Sequence, residues 1–474
     1  MAPIYRGFFI GVNTENIQGL MITNTDIFIQ IASYKDPQLV PTLLDLIGKA
    51  AMPSNLKVTV CWQHGDEQGL DDFYSADFQL ESENQNGDSF NSILLSKGGA
   101  LVELIDVPYN QTKGACWARN LIQQSYSGEK YTLQLDSHHR FVEGWDTVCV
   151  EMLEGLRDDG HLRPLLTAYL PSFDPDNDPA GRVRVPWKMD FDRFIPEGAV
   201  FFQPSTIEGH GSLTSPLPAR FFSAHFVFVD GSFCVDVPHD PEYFFHGEEI
   251  SLAVRAFTHG YSLFHPHRVI AWHEYTRKNR TKIWDDHTTP AKKKKLIDLD
   301  WVERNNSCHL RNRRLFEMDG EVQSNVDFGI YGFGSRRSLR EYESYAGLSF
   351  KHRAVTQEVI DRVTPEFEYV VLEEEEWRKK LTTSHDVHIY IAKTELGEVV
   401  DDYDFWVVSA ENAEGNIFRD DWKPGTISKY MNDKSPHIDH RLIFLSNKKP
   451  TKYIIWPHSR SRGWMQRIEK GING

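Results

Sequence analysis

Ile27-Phe28-Ile29-Gln30-Ile31-Ala32 is a short apolar run of the kind a buried strand carries, and it stops at Ser33-Tyr34-Lys35-Asp36-Pro37. There Asp36 offers a helix cap and Pro37 a favoured first helical residue. Leu39, Leu43, Leu46, Ile47 and Ala50 then recur at helical spacing, with Pro41 early enough that its missing N–H costs little. Leu56 to Trp62 alternates and branches like a second strand. Strand, helix and strand within about 35 residues make a βαβ unit, which implies a parallel pair joined by a right-handed crossover.

The alternation continues outward from this unit. Leu101 to Val107, Tyr131 to Leu135 and Leu165 to Leu170 read as strands, with helices expected over Gly114 to Tyr126 and Val142 to Leu156. That order predicts a sheet sandwiched by helices. Residues 171–198 are rich in Pro, Asp and Gly and read as a long surface loop. Strand-like runs at Ala199–Gln203 and Phe221–Val229 lead to Gly247-Glu248-Glu249, where a helix starts that Gly260 stops. Past an acidic run at Glu373 to Glu376, short aromatic and β-branched runs separated by turn residues predict a β-rich domain. The expected organisation is a lead-in over 1–24, a catalytic domain over 25–340, a linker or helical segment over 341–384 and a β-rich accessory domain over 385–474.

The chain has 474 residues, with 52 Lys and Arg against 68 Asp and Glu, a formal charge of −16. A diffuse acidic surface repels phosphate backbones, so nucleic-acid binding is not expected. No apolar run is long enough for a membrane-spanning helix, and Phe8-Phe9-Ile10 is too short for the core of a leader. Cys61, Cys116, Cys149, Cys234 and Cys308 are scattered without CxxC spacing, which argues against a disulfide framework or a thiolate zinc site. The expectation is a reduced, cytoplasmic protein.

Chemistry concentrates in Tyr131-Thr-Leu-Gln-Leu-Asp136-Ser137-His138-His139-Arg140-Phe141. A buried strand runs into Asp136 and His138, and residues two apart on an extended chain point the same way. A carboxylate and an imidazole at the carboxyl end of a central strand make half of a divalent-metal site, at the edge where open α/β sheets bind ligands. The alternative is that Asp136 caps the next turn and His138 is a loop histidine. Ile270-Ala271-Trp272-His273 ends a further strand in a possible third ligand, with His265 and His267 as rivals and a purely structural histidine as the bland reading. Gly114-Ala-Cys-Trp-Ala-Arg119 opens a helix whose N-terminus and arginine suit a phosphate or carboxylate. Glu248 is the best-placed carboxylate to orient an acceptor hydroxyl or sugar, or else a helix-start glutamate favoured by the dipole. Tyr275 to Lys282 holds four basic residues in eight, either a solvated loop or a lid over bound phosphate.

In order, Gly114 to Arg119, Leu133-Gln-Leu-Asp136-Ser137-His138 and Gly144-Trp145 resemble the core of the polypeptide N-acetylgalactosaminyltransferases. Ile29-Gln30-Ile31-Ala32-Ser33-Tyr34 with Asp36-Pro37, Val60-Cys61-Trp62-Gln63 and Gln134 to Phe141 resemble still more closely the cytoplasmic hydroxyproline-modifying N-acetylglucosaminyltransferases and their bacterial relatives. The resemblance covers roughly residues 25–280. It implies an α/β nucleotide-sugar glycosyltransferase fold of the A type, a Rossmann-like mixed sheet flanked by helices.

The resemblance also implies roles. Ala32, Ser33, Tyr34 and Asp36 fall where such enzymes hold uridine and ribose, and Arg119 where they hold the nucleotide end of the donor. Asp136, His138 and His273 match the metal ligands. Phe245-His246-Gly247-Glu248-Glu249 resembles a Trp-Gly-Gly-Glu-Asn segment that touches the donor sugar and the acceptor side. Ser137 and Arg277 complete the expected donor set, and Glu248, Glu249 and Arg119 the catalytic one. Lys278 joins Arg277 as a further charge for the departing phosphate. Mixed carboxylate and imidazole ligands favour Mn²⁺ over Mg²⁺. The expected reaction is retaining transfer from a UDP-sugar, by resemblance UDP-N-acetylglucosamine, to a hydroxyl on a protein, peptide or glycan. Two rivals belong to other classes: a sugar-nucleotide hydrolase, and a non-catalytic carbohydrate- or protein-binding module that keeps the fold.

Overall fold

The computed structural model describes residues 26–85, 90–277, 280–320 and 326–472. The lead-in expected over 1–24 and Lys278 lie outside them. At the centre stands the strand Ile27–Tyr34, parallel to Leu56–His64 on one side and to Tyr131–Asp136 on the other. Its register sets Ala32 beside Asp136, so the two strands finish at one edge. Ten strands make the sheet. Beyond Leu56–His64 come the parallel Ala100–Pro108 and an antiparallel pair of strands; beyond Tyr131–Asp136 come the antiparallel Phe226–Asp230 and then Pro164–Thr167 and Ser262–His265. This is the helix-flanked α/β sheet that the alternation predicts, and it is mixed, as the resemblance implies.

Helix Leu39–Lys49 buries Leu39, Leu43, Leu46 and Ile47 against one face of the sheet, as its apolar spacing requires. The helix expected from Val142 begins at Trp145 instead, because Gly144 takes a left-handed conformation and ends the preceding segment. On the other face, helix Glu248–Thr258 packs Ile250, Val254 and Phe257 with Val227 and Val229. Tyr342, Tyr345, Phe350 and Val355 join the same cluster, so the segment from 341 is part of this core rather than a spacer.

Two expectations change. Residues 171–198 are not loop throughout: Trp187–Phe194 pairs antiparallel with Val200–Thr206 in a two-stranded ribbon. The alternating Trp187-Lys-Met189-Asp-Phe191 pattern carries that strand, but the Pro, Asp and Gly before it dominate the composition. The expected boundary at 385 falls inside the strand Leu381–Ala392, which pairs through Leu381–Thr383 with Ala354–Thr356 and through Ser384–Ala392 with His437–Leu445. The C-terminal strands are antiparallel, and Trp406, Trp422, Ile389 and Ile455 fill the core between their sheets. Among the described residues no helix is long and apolar enough to cross a membrane.

Candidate active site

Asp136 ends its strand with Oδ2 3.7 Å from His138 Nε2 and 3.5 Å from His273 Nε2. One donor atom from each of the three lies within 4.8 Å of the others. His273 arrives from far along the chain because Ala271–His273 pairs with His139–Phe141 and the Glu274 N–H donates to the His138 carbonyl. The rivals stand elsewhere: His265 is held by the Thr167 carbonyl at 2.7 Å, and neither it nor His267 lines the cavity described below.

Asp36 supports this triad from behind. Its Oδ2 accepts from Ser137 Oγ at 2.7 Å and lies 2.8 Å from His138 Nδ1. Arg280 Nη1 contacts the same His138 nitrogen, and the other ring nitrogen, Nε2, faces Asp136. Burial raises the Asp36 pKa, but His138, Arg280 and Ser137 outweigh it and hold the carboxyl below its ordinary value. For Asp136, burial again opposes ionisation, and the adjacent His273 imidazole and Arg119 prevail, keeping it well below the usual range. Burial holds His273 well below an ordinary histidine, and neither of its ring nitrogens has a hydrogen-bond partner. A charged carboxylate beside a neutral, orphaned imidazole is the protonation state a divalent cation requires. The residues fit such an ion.

Arg119 is not open to solvent. Its Nη2 donates to Asp136 Oδ1 at 2.6 Å and its Nη1 to Glu248 Oε1 and Oε2 at 3.1 and 3.0 Å. Burial disfavours its charge, yet Glu248 and Asp136 raise its pKa further and keep it cationic. The helix that carries Arg119 starts at Gly114, whose φ of +124° and 2.7 Å clearance to the Phe244 carbonyl admit no side chain. Cys116 Sγ donates to Glu248 Oε2 at 2.6 Å. Cys116, His239 and Glu248 form a second converging group, but Arg119 occupies Glu248 and Gln134 holds His239 Nε2 at 2.6 Å. Glu249 accepts from Tyr169 Oη at 2.8 Å and from the Ala224 N–H at 3.0 Å.

A cavity of about 960 Å³ runs across the sheet edge. Ala32, Tyr34, Asp36, Arg119, Asp136, Ser137, His138, Glu248, Glu249, His273 and Arg277 all line it. Ser33 does not: it lies on the opposite face of the pleat from Ala32 and Tyr34 and its side chain is buried. Tyr34 Oη donates to Asp286 at 2.7 Å, and the Arg277 guanidinium lies over the Phe245 and Trp284 rings. Sequence reasoning missed His225, stacked on His273 with centroids 4.1 Å apart, and Tyr169, Trp187, Phe201, Arg280 and Trp284. Only Arg280 carried a signal, as part of the basic run; His225 sits in an apolar stretch that reads as plain strand.

The protein-family model described as Glycosyltransferase (GlcNAc) matches residues 26–97 and 75–352. The chain belongs to this glycosyltransferase family. The match takes in every residue assigned above to the metal triad, to the Arg119–Glu248 pair and to the cavity. No curated protein matches the sequence. Among solved structures it is similar to "Crystal structure of GalNAc-T7 with UDP, GalNAc and Mn2+", at 12% identity and a TM-score of 0.39 over 69% of this chain. That alignment spans 56% of the other chain, just over half its length. S. aureus TarS aligns at 10% identity and a TM-score of 0.33, over 94% of this chain and 86% of that one.

Glu249 gives this member of the family a measurable pH signature. Burial lifts its carboxyl from 4.5 to about 7, against the hydrogen bonds from Ala224 and Tyr169. The folded state therefore keeps a proton that the unfolded chain has released, and stability falls as pH rises from about 4.5 to about 7. In thermal melts, Glu249→Gln removes this part of the slope. A variant-minus-wild-type difference that stays flat across the window contradicts the assignment.

Proposed function

We propose that the chain transfers N-acetylglucosamine from UDP-N-acetylglucosamine to a hydroxyl of a protein or peptide, with a divalent cation held by Asp136, His138 and His273 and with retention at the anomeric carbon. The observation that carries this reading is the triad itself, with its ionised carboxylate, its neutral orphaned imidazole and Asp36 behind it. When bound, the ion, Mn²⁺ by its mixed oxygen and nitrogen donors, stabilises the departing diphosphate as a Lewis acid. Ala32 and Tyr34 line the nucleotide end of the cavity, and Arg277 and Arg280 add positive charge around the phosphates.

Both glutamates near the sugar are held. Glu248 is clamped by Arg119 and Cys116, and Glu249 by Tyr169 and Ala224, so neither is available as a covalent nucleophile. This supports front-face attack: the acceptor oxygen bonds to the anomeric carbon as the carbon–phosphate oxygen bond breaks, and the acceptor proton passes to the leaving phosphate. Glu248 positions sugar or acceptor through its fixed orientation. The five buried, unbridged cysteines support a reducing, cytoplasmic setting.

The test is a panel of UDP-sugars with Mn²⁺ and peptides containing hydroxyproline, serine or threonine, read by UDP release and by NMR of the product. UDP-N-acetylglucosamine is consumed fastest and the product is the α-anomer. A β-linked product excludes retention. Free sugar as the sole product with every peptide favours the hydrolase, and a melting temperature that UDP and Mn²⁺ leave unmoved favours a binding module.

A further inference from the structure

The cavity has two halves. Asp136 ends the strand between them, with Ala32, Tyr34 and Gln63 on one side and Tyr169, Ala224 and His225 on the other. The second half is walled by the ribbon Trp187–Phe194 and Val200–Thr206, which places Phe201 against His246 with centroids 5.0 Å apart. His246 lies two residues before Glu248. If nucleotide occupies the first half, this wall faces the sugar and the acceptor.

The wall is braced from the C-terminal strands. Arg193 lays its guanidinium over the Phe201 ring at 4.7 Å, and its Nε lies 3.4 Å from Asp386 Oδ2. Asp386 belongs to the strand Leu381–Ala392, and its side chain is only 3% exposed. The neighbouring Ser384 Oγ accepts from the Phe194 N–H at 3.2 Å, and Arg441 contacts the other Asp386 oxygen at 3.4 Å. A buried carboxylate is retained at this junction where an apolar side chain would pack without desolvation, and what it grips is the arginine that sets Phe201.

We propose that Asp386 is a positioning residue for the transfer reaction: through Arg193 it holds Phe201 and His246 as a closed wall on the acceptor side of the cavity and keeps water from the anomeric carbon. The C-terminal strands are thereby part of the active-site enclosure. The inference rests on the reading of the cavity as a UDP-N-acetylglucosamine site.

The experiment uses the full chain and the variants Asp386→Asn and Arg193→Gln, which cut the same link from its two ends. Arg441→Gln is the control, since Arg441 touches Asp386 but not Phe201. Hydrogen exchange should quicken about tenfold or more in 193–204 and 244–247 for both test variants, with 27–34 unchanged. Acceptor-free hydrolysis of UDP-N-acetylglucosamine should rise about threefold to tenfold while UDP affinity with Mn²⁺ stays constant. A role confined to stability would lower hydrolysis and binding together. Faster exchange confined to 381–392 and 437–445, or unchanged hydrolysis in both variants, overturns the proposal. Failure of the wild-type protein to bind UDP overturns the functional reading instead, and the exchange pattern still decides whether Asp386 braces the wall.

Discussion

Asp136→Asn lowers sugar transfer by about a thousandfold at fixed Mn²⁺, the scale of removing a central electrostatic stabiliser from a preorganised site. The asparagine keeps the shape and can still accept from Arg119, so the loss reflects charge rather than packing. His138→Ala and His273→Ala belong to the same class, with a difference between them. His138 is also tied to Asp36, so its removal leaves Asp36 to Ser137, the Gln38 N–H and Arg280. His273 has no hydrogen-bond partner on its ring to lose, and its removal disturbs ring contacts with His225, His138, His139 and Tyr275. The rate of UDP release, followed with and without chelator, measures all three. Full activity of Asp136→Asn in chelator contradicts a metal role for this carboxylate.

Arg119→Met loses activity and destabilises the fold by about 4 kcal/mol, the magnitude of breaking a buried ion pair from one side. The guanidinium is the cation between two carboxylates, and without it Glu248 has only the Cys116 thiol while Asp136 has its histidines. The penalty is the uncompensated charge, so the double variant Arg119→Met with Glu248→Gln regains part of the stability and none of the activity. Denaturant unfolding of both proteins checks this. Equal stability of Arg119→Met and wild type would mean that the cluster is open to water and that Arg119 is free to meet phosphate instead.

How much of this was legible depends on whether a feature is local. The run Ile27–Ala32, the helix spacing from Leu39 and the Asp136–His138 pair are local, and the sheet, its order at the centre and two of the three converging donors follow from them. His273 was reachable because its strand ends in a histidine, but only the pairing with His139–Phe141 selects it over His265 and His267. Asp36 reads as a helix cap, but the helix begins at Leu39 with Gln38 in the cap position, and Asp36 Oδ1 accepts from the Gln38 N–H at 2.8 Å in the turn before it. Its second oxygen reaches His138 across about a hundred residues, which no local pattern can express. Arg119 looks like a phosphate ligand because a helix N-terminus precedes it; tertiary packing turns it inward to two carboxylates. The ribbon at 187–206 was hidden by composition, and with it the aromatic wall and its link to Asp386.

The most direct test is a titration of Mn²⁺ followed by electron paramagnetic resonance, with UDP present and the full chain as receptor. The account predicts that the wild-type protein removes Mn²⁺ from solution to the extent of a single site, and that Asp136→Asn and His273→Ala leave the ion free. Mn²⁺ binding unchanged in both variants, or absent from the wild-type protein with UDP present, would contradict it.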